Sequence, residues 1–266
     1  MSILRTYLVI LFLISTSILF AKEKDNKYWN LGMAPTIEKG RFEVGLFQPL
    51  RYGITDTLEI STFPLFAFVL PNVTIKKNYI NREKLSFSTE HSLLYPTLGL
   101  SLVSKNGIAG LLPHTSKIPQ ILVFDNSALA TYKLSKYFIV TGKINLSIPI
   151  IFTDVKDEEF PVVDMMLLYP RTASYQGMIV YNLSLDIDGL IAGDFYYTVD
   201  LDLYNSLISY SDKSMNLNIE TKLLITWKYS DCFALFLGVK HIIGDYPGTK
   251  SKTLSVVPLF DLSWAF

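Results

Sequence analysis

Nucleophilic or metal chemistry would have to come from few side chains in this 266-residue chain, which holds three histidines and one cysteine. His91 stands next to Ser92, the two residue types that hydrolytic sites use as base and nucleophile. The stretch around them, Leu85 to Leu94, alternates apolar and polar residues, and in a strand successive side chains point to opposite faces. His91 then shares a face with Leu85, Phe87 and Leu93 while Ser92 points the other way, so the pair is not a dyad. His241 follows Val239 on the apolar face of Phe233, Leu235 and Leu237, and His114 falls in the loop-like stretch 95–119. No two histidines or cysteines have metal-ligand spacing. The acidic run Asp157, Glu158, Glu159 lacks the alternating carboxylates and glycine of a calcium loop. Gly107 and Gly110 lead into no helical pattern that would cradle a phosphate. No catalytic residue, cofactor site or metal ligand is assigned, no cofactor is expected, and the chain is not expected to be an enzyme. A barrel enzyme acting on lipids is the weakest reading.

A different chemistry is carried by charged residues at alternate positions. They are Lys143, Asp186, Asp194, Asp200, Asp202, Glu220, Lys222 and Lys228, with Lys240 on the same parity. Their neighbours are apolar: Phe195, Tyr197, Val199, Leu201 and Leu203 oppose Asp194, Asp200 and Asp202, and Ile219, Leu223, Ile225 and Trp227 oppose Glu220, Lys222 and Lys228. Strands with one charged and one greasy face need two environments. In a membrane barrel the greasy face meets lipid, where a charge near the midplane costs about 2–4 kcal/mol, and the charges line a polar interior. In an exported soluble sandwich or closed soluble barrel the greasy face would be the core. Segments such as 214–229, 16 residues long, exceed ordinary soluble strands and suit tilted membrane crossings.

The elements that would position these charges are predicted strands at 28–36, 41–51, 57–65, 72–79, 84–94, 120–134, 137–150, 177–187, 191–204, 214–229, 232–243 and 253–266. The expected fold is all-β, an antiparallel up-and-down transmembrane β-barrel of about twelve strands, with ten to fourteen possible because 28–36 is weak and 97–104 could be a strand of its own. Tyr52 to Leu58, Tyr132 to Phe138 and Trp227 to Phe233 repeat one turn motif: an aromatic residue, a Ser or Thr three places on followed by Asp or Lys, then an apolar residue. These turns, and a short one at Asp188 and Gly189, fall on the same side as both termini. The longer connections 95–119, 151–176, 205–213 and 244–252 fall on the other. Pro64 to Pro71 is either a folded-in loop or short helix at the barrel mouth, or a lipid-facing strand end.

At the N-terminus Arg5 precedes an apolar stretch, Tyr7 to Phe20, then Ala21 and a polar run. This predicts a signal peptide over 1–21 cleaved after Ala21, with an uncleaved anchor as the alternative. An N-terminal segment 22–40 would lead into a barrel over 41–266. Half of the residues are hydrophobic and 14% aromatic, and 24 basic residues balance 24 acidic ones, which gives no reason to expect nucleic acid as a partner. The single cysteine, Cys232, allows no internal disulfide.

The last stretch, Thr253 to Phe266, alternates apolar Leu254, Val256, Pro258, Phe260, Leu262 and Trp264 with Ser255, Asp261, Ser263 and Ala265, and ends on an aromatic residue. It resembles the closing strand of bacterial outer-membrane barrels. Gly40 to Ile60, with its Tyr52-Gly53-Ile54-Thr55-Asp56 turn, resembles the opening hairpins of porin-like members of that class. The resemblance implies residence in the bacterial outer membrane, outer-membrane lipid as surroundings, and barrel assembly machinery as a partner reading the terminal strand, with Phe266 as assembly signal. It supplies no substrate. The function expected is passive transport of a small solute through a narrow polar lumen lined by the charged residues above. A surface adhesin or structural barrel acting through its long outer loops is the alternative.

Overall fold

The computed structural model describes residues 32–64, 67–104, 117–135, 137–153, 174–175, 177–209, 217–244 and 253–266. The expected signal peptide, His114, Gly107, Gly110 and the run 157–159 lie outside these residues. Among the described residues twelve antiparallel strands close into one barrel: β1 (Phe42–Gly45), β2 (Leu50–Thr55), β3 (Leu58–Thr62), β4 (Asn72–Asn81), β5 (Leu85–Leu94), β6 (Ile121–Ser135), β7 (Phe138–Ile151), β8 (Met178–Ala192), β9 (Phe195–Ser209), β10 (Asn218–Ser230), β11 (Phe233–Gly244) and β12 (Thr253–Ala265). Each pairs with its sequence neighbours, and β1 closes on β12 through Glu43↔Ala265, Val44↔Trp264 and Gly45↔Ser263. One helix, α1 (Thr97–Val103), lies between β5 and β6.

Period-two patterning sorts the wall. On β10, Asn218, Glu220 and Thr226 are buried while Ile225, Trp227 and Tyr229 are exposed outside. The outer face carries Ile75, Ile144, Leu183, Leu185, Leu201, Ile225, Leu237 and Phe260, all exposed. At the short-turn rim, outer aromatics touch in succession: Phe195 on Trp227 (centroids 6.1 Å), Trp227 on Tyr229 (5.5 Å), Tyr229 on Phe233 (6.5 Å) and Phe233 on Trp264 (5.7 Å). An apolar belt bounded by an aromatic girdle is what a lipid–water boundary selects. His91 sits on this outer face, where Nδ1 meets Oδ1 of Asn126 on the neighbouring strand at 2.8 Å, so each polar side chain satisfies the other.

The short turns gather at one end with Phe266, and the motif explains them. Thr55, Ser135 and Ser230 each accept a hydrogen bond on the side-chain hydroxyl from the backbone N–H two residues on, at 3.2, 3.1 and 3.2 Å. A register shift precedes each short turn, at Gly53/Thr55, Asn78/Ile80, Lys133/Ser135, Leu190/Ala192 and Lys228/Ser230. Such bulges add local twist where the strands must bend into the hairpin.

Several boundaries differ from expectation. Residues 32–36 of the predicted first strand form no strand. The predicted strand 41–51 is instead two, β1 and β2, broken at 46–49 because Asp261 Oδ1 accepts from the N–H groups of Leu46 (2.8 Å) and Phe47 (3.2 Å). One strand lost and one gained keep the count at twelve and leave every later turn on its expected side. Asp188 and Gly189 are not a turn: β8 runs on to Ala192, and the turn comes at Gly193, which takes φ +55°. Residues 97–103 are α1, not a strand. Thr97 fixes it by donating its hydroxyl to Pro119 O (3.0 Å) and accepting from Ile121 N (2.8 Å). Leu100 of that helix packs with Leu94, Ile121, Val123 and Tyr175 in an apolar cap at the long-loop end. Of the segment expected as a mouth loop or strand end, the described residues 67–70 form turns that bring Leu70 to this cap.

Candidate functional site

The interior holds a cavity of 690 Å³, bordered by Phe63, Leu70, Leu94 and Tyr175 towards the long loops and by Met33 and Arg51 towards the short turns. Burial, and after it the charge of Asp125, push the Tyr175 phenol above its ordinary range, so it stays a neutral side chain at the mouth.

At the short-turn end, residues 32–37 run inside the cylinder. Met33, Ala34 and Ile37 are buried there, and four of the segment's backbone groups meet wall side chains. Lys76 donates to Met33 O, and Ser88 and Asn78 (3.2 Å) donate to Ala34 O. Ala34 N donates to Thr131 Oγ1 (2.7 Å) and Ile37 N to Glu59 Oε2 (3.0 Å). Backbone inside a barrel has no ladder partner, and these side chains remove the desolvation cost of its amides and carbonyls. The segment leaves past β2, where Gly40 N donates to Gly53 O (2.8 Å) and Gly53 N to Arg41 O (3.1 Å). A Cβ at Gly53 would stand 2.1 Å from Glu38 O. Gly53→Ala is therefore expected to push the segment off β2 and cost about 1–3 kcal/mol, read as a lower urea midpoint of the folded barrel. An unchanged midpoint would mean that the contact relaxes freely.

Above this segment a ladder of alternating charge crosses the wall from β1 to β7. Arg41 pairs with Glu43 (2.7 Å), and Arg51 with Glu43 (3.2 Å) and Glu59 (2.7 Å). Glu90 pairs with Lys76 (3.4 Å) and Lys143 (3.1 Å). Arg51, Glu43, Glu59 and Lys76 are all buried. Charges this far from bulk water are held only by such reciprocal pairing.

The wall of β8 to β11 differs. Asp186 and Asp188 on β8, Asp200 and Asp202 on β9, Glu220, Lys222 and Lys228 on β10 and Lys240 on β11 border the cavity. Lys222 pairs with Asp200, and Lys240 with Glu220 at 2.6 Å. Lys228 reaches down to Asp231 at 3.4 Å. Asp202 accepts from Asn182 Nδ2 (3.1 Å) and from Ser184, and Asp188 accepts from the Thr198 hydroxyl at 2.5 Å. Of the residues singled out by sequence, Lys143, Asp186, Asp200, Asp202, Glu220, Lys222 and Lys228 come together around the cavity. Asp194 instead occupies the short turn between β8 and β9, away from its lining. Arg51, Glu59, Lys76, Glu90, Asp125 and Asp188 border the cavity as well and were not singled out. Their alternation was available as a signal, with Glu43, Arg51 and Glu59 spaced by eight residues. Short strands hid it for Arg51 and Glu59, and the expected turn hid it for Asp188; Lys76, Glu90 and Asp125 lie on strands of 10, 10 and 15 residues where it could be read. Among the described residues no group of three histidine, cysteine or carboxylate side chains could hold a metal ion.

No protein-family model matches the chain, and no curated protein matches it in sequence. Among solved structures, the KdgM porin in complex with disordered oligogalacturonate aligns at 10% identity and a TM-score of 0.42, over 85% of this chain and 95% of its own. The NanC porin aligns at 9% identity and a TM-score of 0.47, over 85% and 96%. OccAB4 of Acinetobacter baumannii aligns at 9% and 0.41, over 82% and 52%. At such identities and scores these likenesses carry no inference about what this chain binds.

Proposed function

We propose that the chain is a passive channel of the bacterial outer membrane, passing small polar solutes through a narrow lumen partly filled by its own N-terminal segment. The observation that carries this reading is the radial split of the wall: an apolar outer belt with an aromatic rim, around an interior with a charged 690 Å³ cavity. A soluble barrel would have no reason to place Ile144 and Phe260 outside and Glu220 inside. Export by a cleaved leader and reading of the terminal strand by barrel assembly machinery belong to the same proposal. In support, Phe266 stands exposed at the short-turn rim, where its backbone exchanges hydrogen bonds with Phe42 at 3.0 and 2.8 Å. No step needs a cofactor or a bond-breaking residue.

The test is heat-modifiable mobility together with planar-bilayer conductance on one preparation refolded from residue 22. A folded band that shifts on boiling, with stepwise current, is the expected result. A folded barrel that carries no current in this form or with the N-terminal segment removed would defeat the channel reading and move function to the outer loops. Water-soluble protein that neither shifts nor inserts would remove the membrane reading itself.

A further inference from the structure

We infer that the lumen selects positively charged solutes, and that the β8–β9 wall is the surface that binds them through ammonium-type groups. This deepens the channel reading and rests on it for transport, but not for binding.

Around the cavity, the described residues contribute nine carboxylates against six basic side chains. The imbalance is not spread evenly. On the β1–β7 side every charge of the ladder, from Arg41 to Lys143, has an opposite partner within 3.4 Å, so no basic side chain there is left over for an anion. On the β8–β9 wall, Lys222 is committed to Asp200. Asp186, Asp188 and Asp202 have no basic side chain in ion-pair contact among the described residues.

The strand register intensifies the deficit. Asp186 lies directly opposite Asp200, and Asp202 directly opposite Glu220. Like charges facing each other across a ladder destabilise it unless they are countered, and the counter-charges in contact here, Lys222 on Asp200 and Lys240 on Glu220, are two basic side chains against the five carboxylates Asp186, Asp188, Asp200, Asp202 and Glu220. A second observation points the same way. Asp188 and Asp200 are 8% and 6% exposed, border the cavity, and each has a carboxylate oxygen, Oδ2 and Oδ1 respectively, without a hydrogen-bond partner; Asp186 Oδ1 is in the same position. Buried carboxylate oxygens are costly when unmet. A protonated amine supplies up to three donors and the missing charge at once. The wall does not have the donor set of a metal site, and its oxygens lie along a cavity large enough for an organic cation.

The test uses spermidine as probe and compares the wild-type barrel with a triple variant, Asp186→Asn, Asp188→Asn and Asp202→Asn. The Asp200–Lys222 pair is left intact, and the substitutions nearly preserve volume. Titration calorimetry on the folded barrel in detergent measures binding whether or not the lumen conducts. Spermidine is expected to bind the wild type and to bind the triple variant at least about tenfold more weakly. In bilayers, the reversal potential in a potassium chloride gradient is expected to favour potassium in the wild type and to move towards zero in the variant. Absence of spermidine binding by the wild type overturns the inference, as does equal binding by the variant. Binding without current leaves this wall as a cation site and defeats only the channel reading.

Discussion

A barrel refolded from Ile37 is expected to carry about two to three times the current of one refolded from residue 22, because segment 32–36 occupies cross-section that a twelve-strand cylinder cannot spare. The cut keeps the Ile37 N–H on Glu59 and leaves Arg51, Glu43 and Glu59 in place, so the wall should survive it. It frees Lys76, Asn78, Ser88 and Thr131 from Met33 and Ala34. All four are polar groups that water can satisfy once it enters. Single-channel recording measures the change directly. An increase confined to the truncated form identifies the segment as the constriction. Equal currents would place the narrow point at the other end, beside Tyr175, Leu94 and α1.

The second large effect concerns stability. Arg51 is 4% exposed and bridges Glu43 and Glu59, themselves 5% and 3% exposed. Arg51→Ala takes the paired cation from Glu59 and leaves Glu43 with Arg41 alone, and breaking a buried pair from one side costs about 3–5 kcal/mol. The folded fraction in urea should fall accordingly, with loss of the heat-resistant band at lower temperature. Replacing all three residues, Arg51→Met with Glu43→Gln and Glu59→Gln, should recover most of the loss, since no buried charge then remains unpaired. If the triple variant is as unstable as the single one, the arginine acts by packing rather than by charge.

The barrel wall was legible in the sequence because inside and outside are written every second residue, a local signal that needs no knowledge of partners. The turn motif was legible for the same reason: Thr55, Ser135 and Ser230 each act on the backbone two residues away. What escaped was set from a distance. The break between β1 and β2 carries no Asn-Gly or Asp-Gly turn, and the residue that turns the chain there is Asp261, more than two hundred positions later. The interior segment reads as an ordinary weak strand until Lys76, Asn78 and Ser88 take up its carbonyls from 43 to 54 residues away. Asp188 reads as the turn of the β8–β9 hairpin, which comes a few residues later at Gly193, because Asp-Gly is a strong turn signal. In the fold Gly189 serves instead to admit the Tyr197 ring, which a Cβ there would meet at 2.5 Å. Of the lumen charges, those on long regular strands followed from parity alone. Glu43, Arg51 and Glu59 on β1 to β3 did not, because strands of four to six residues leave too little pattern to fix which way a side chain points, whereas Lys76 and Glu90 lie on ten-residue strands where the parity could have been read.

The joint between first and last strands has a mechanical consequence. β12 is tied to β11 by twelve opposed residue pairs and to β1 by three, and above Leu262 no described strand lies along its other edge. On that edge sits Pro258, whose ring replaces the N–H that a passing strand would seek. A hoop under load parts where its overlaps are shortest, so pulling or heating should open the cylinder at β1, which three opposed pairs join to β12 and two join to β2, while the longer staves stay locked. The same short clasp makes closure a small final act: nearly the whole sheet can be assembled first, and three rungs then turn an open ribbon into a tube.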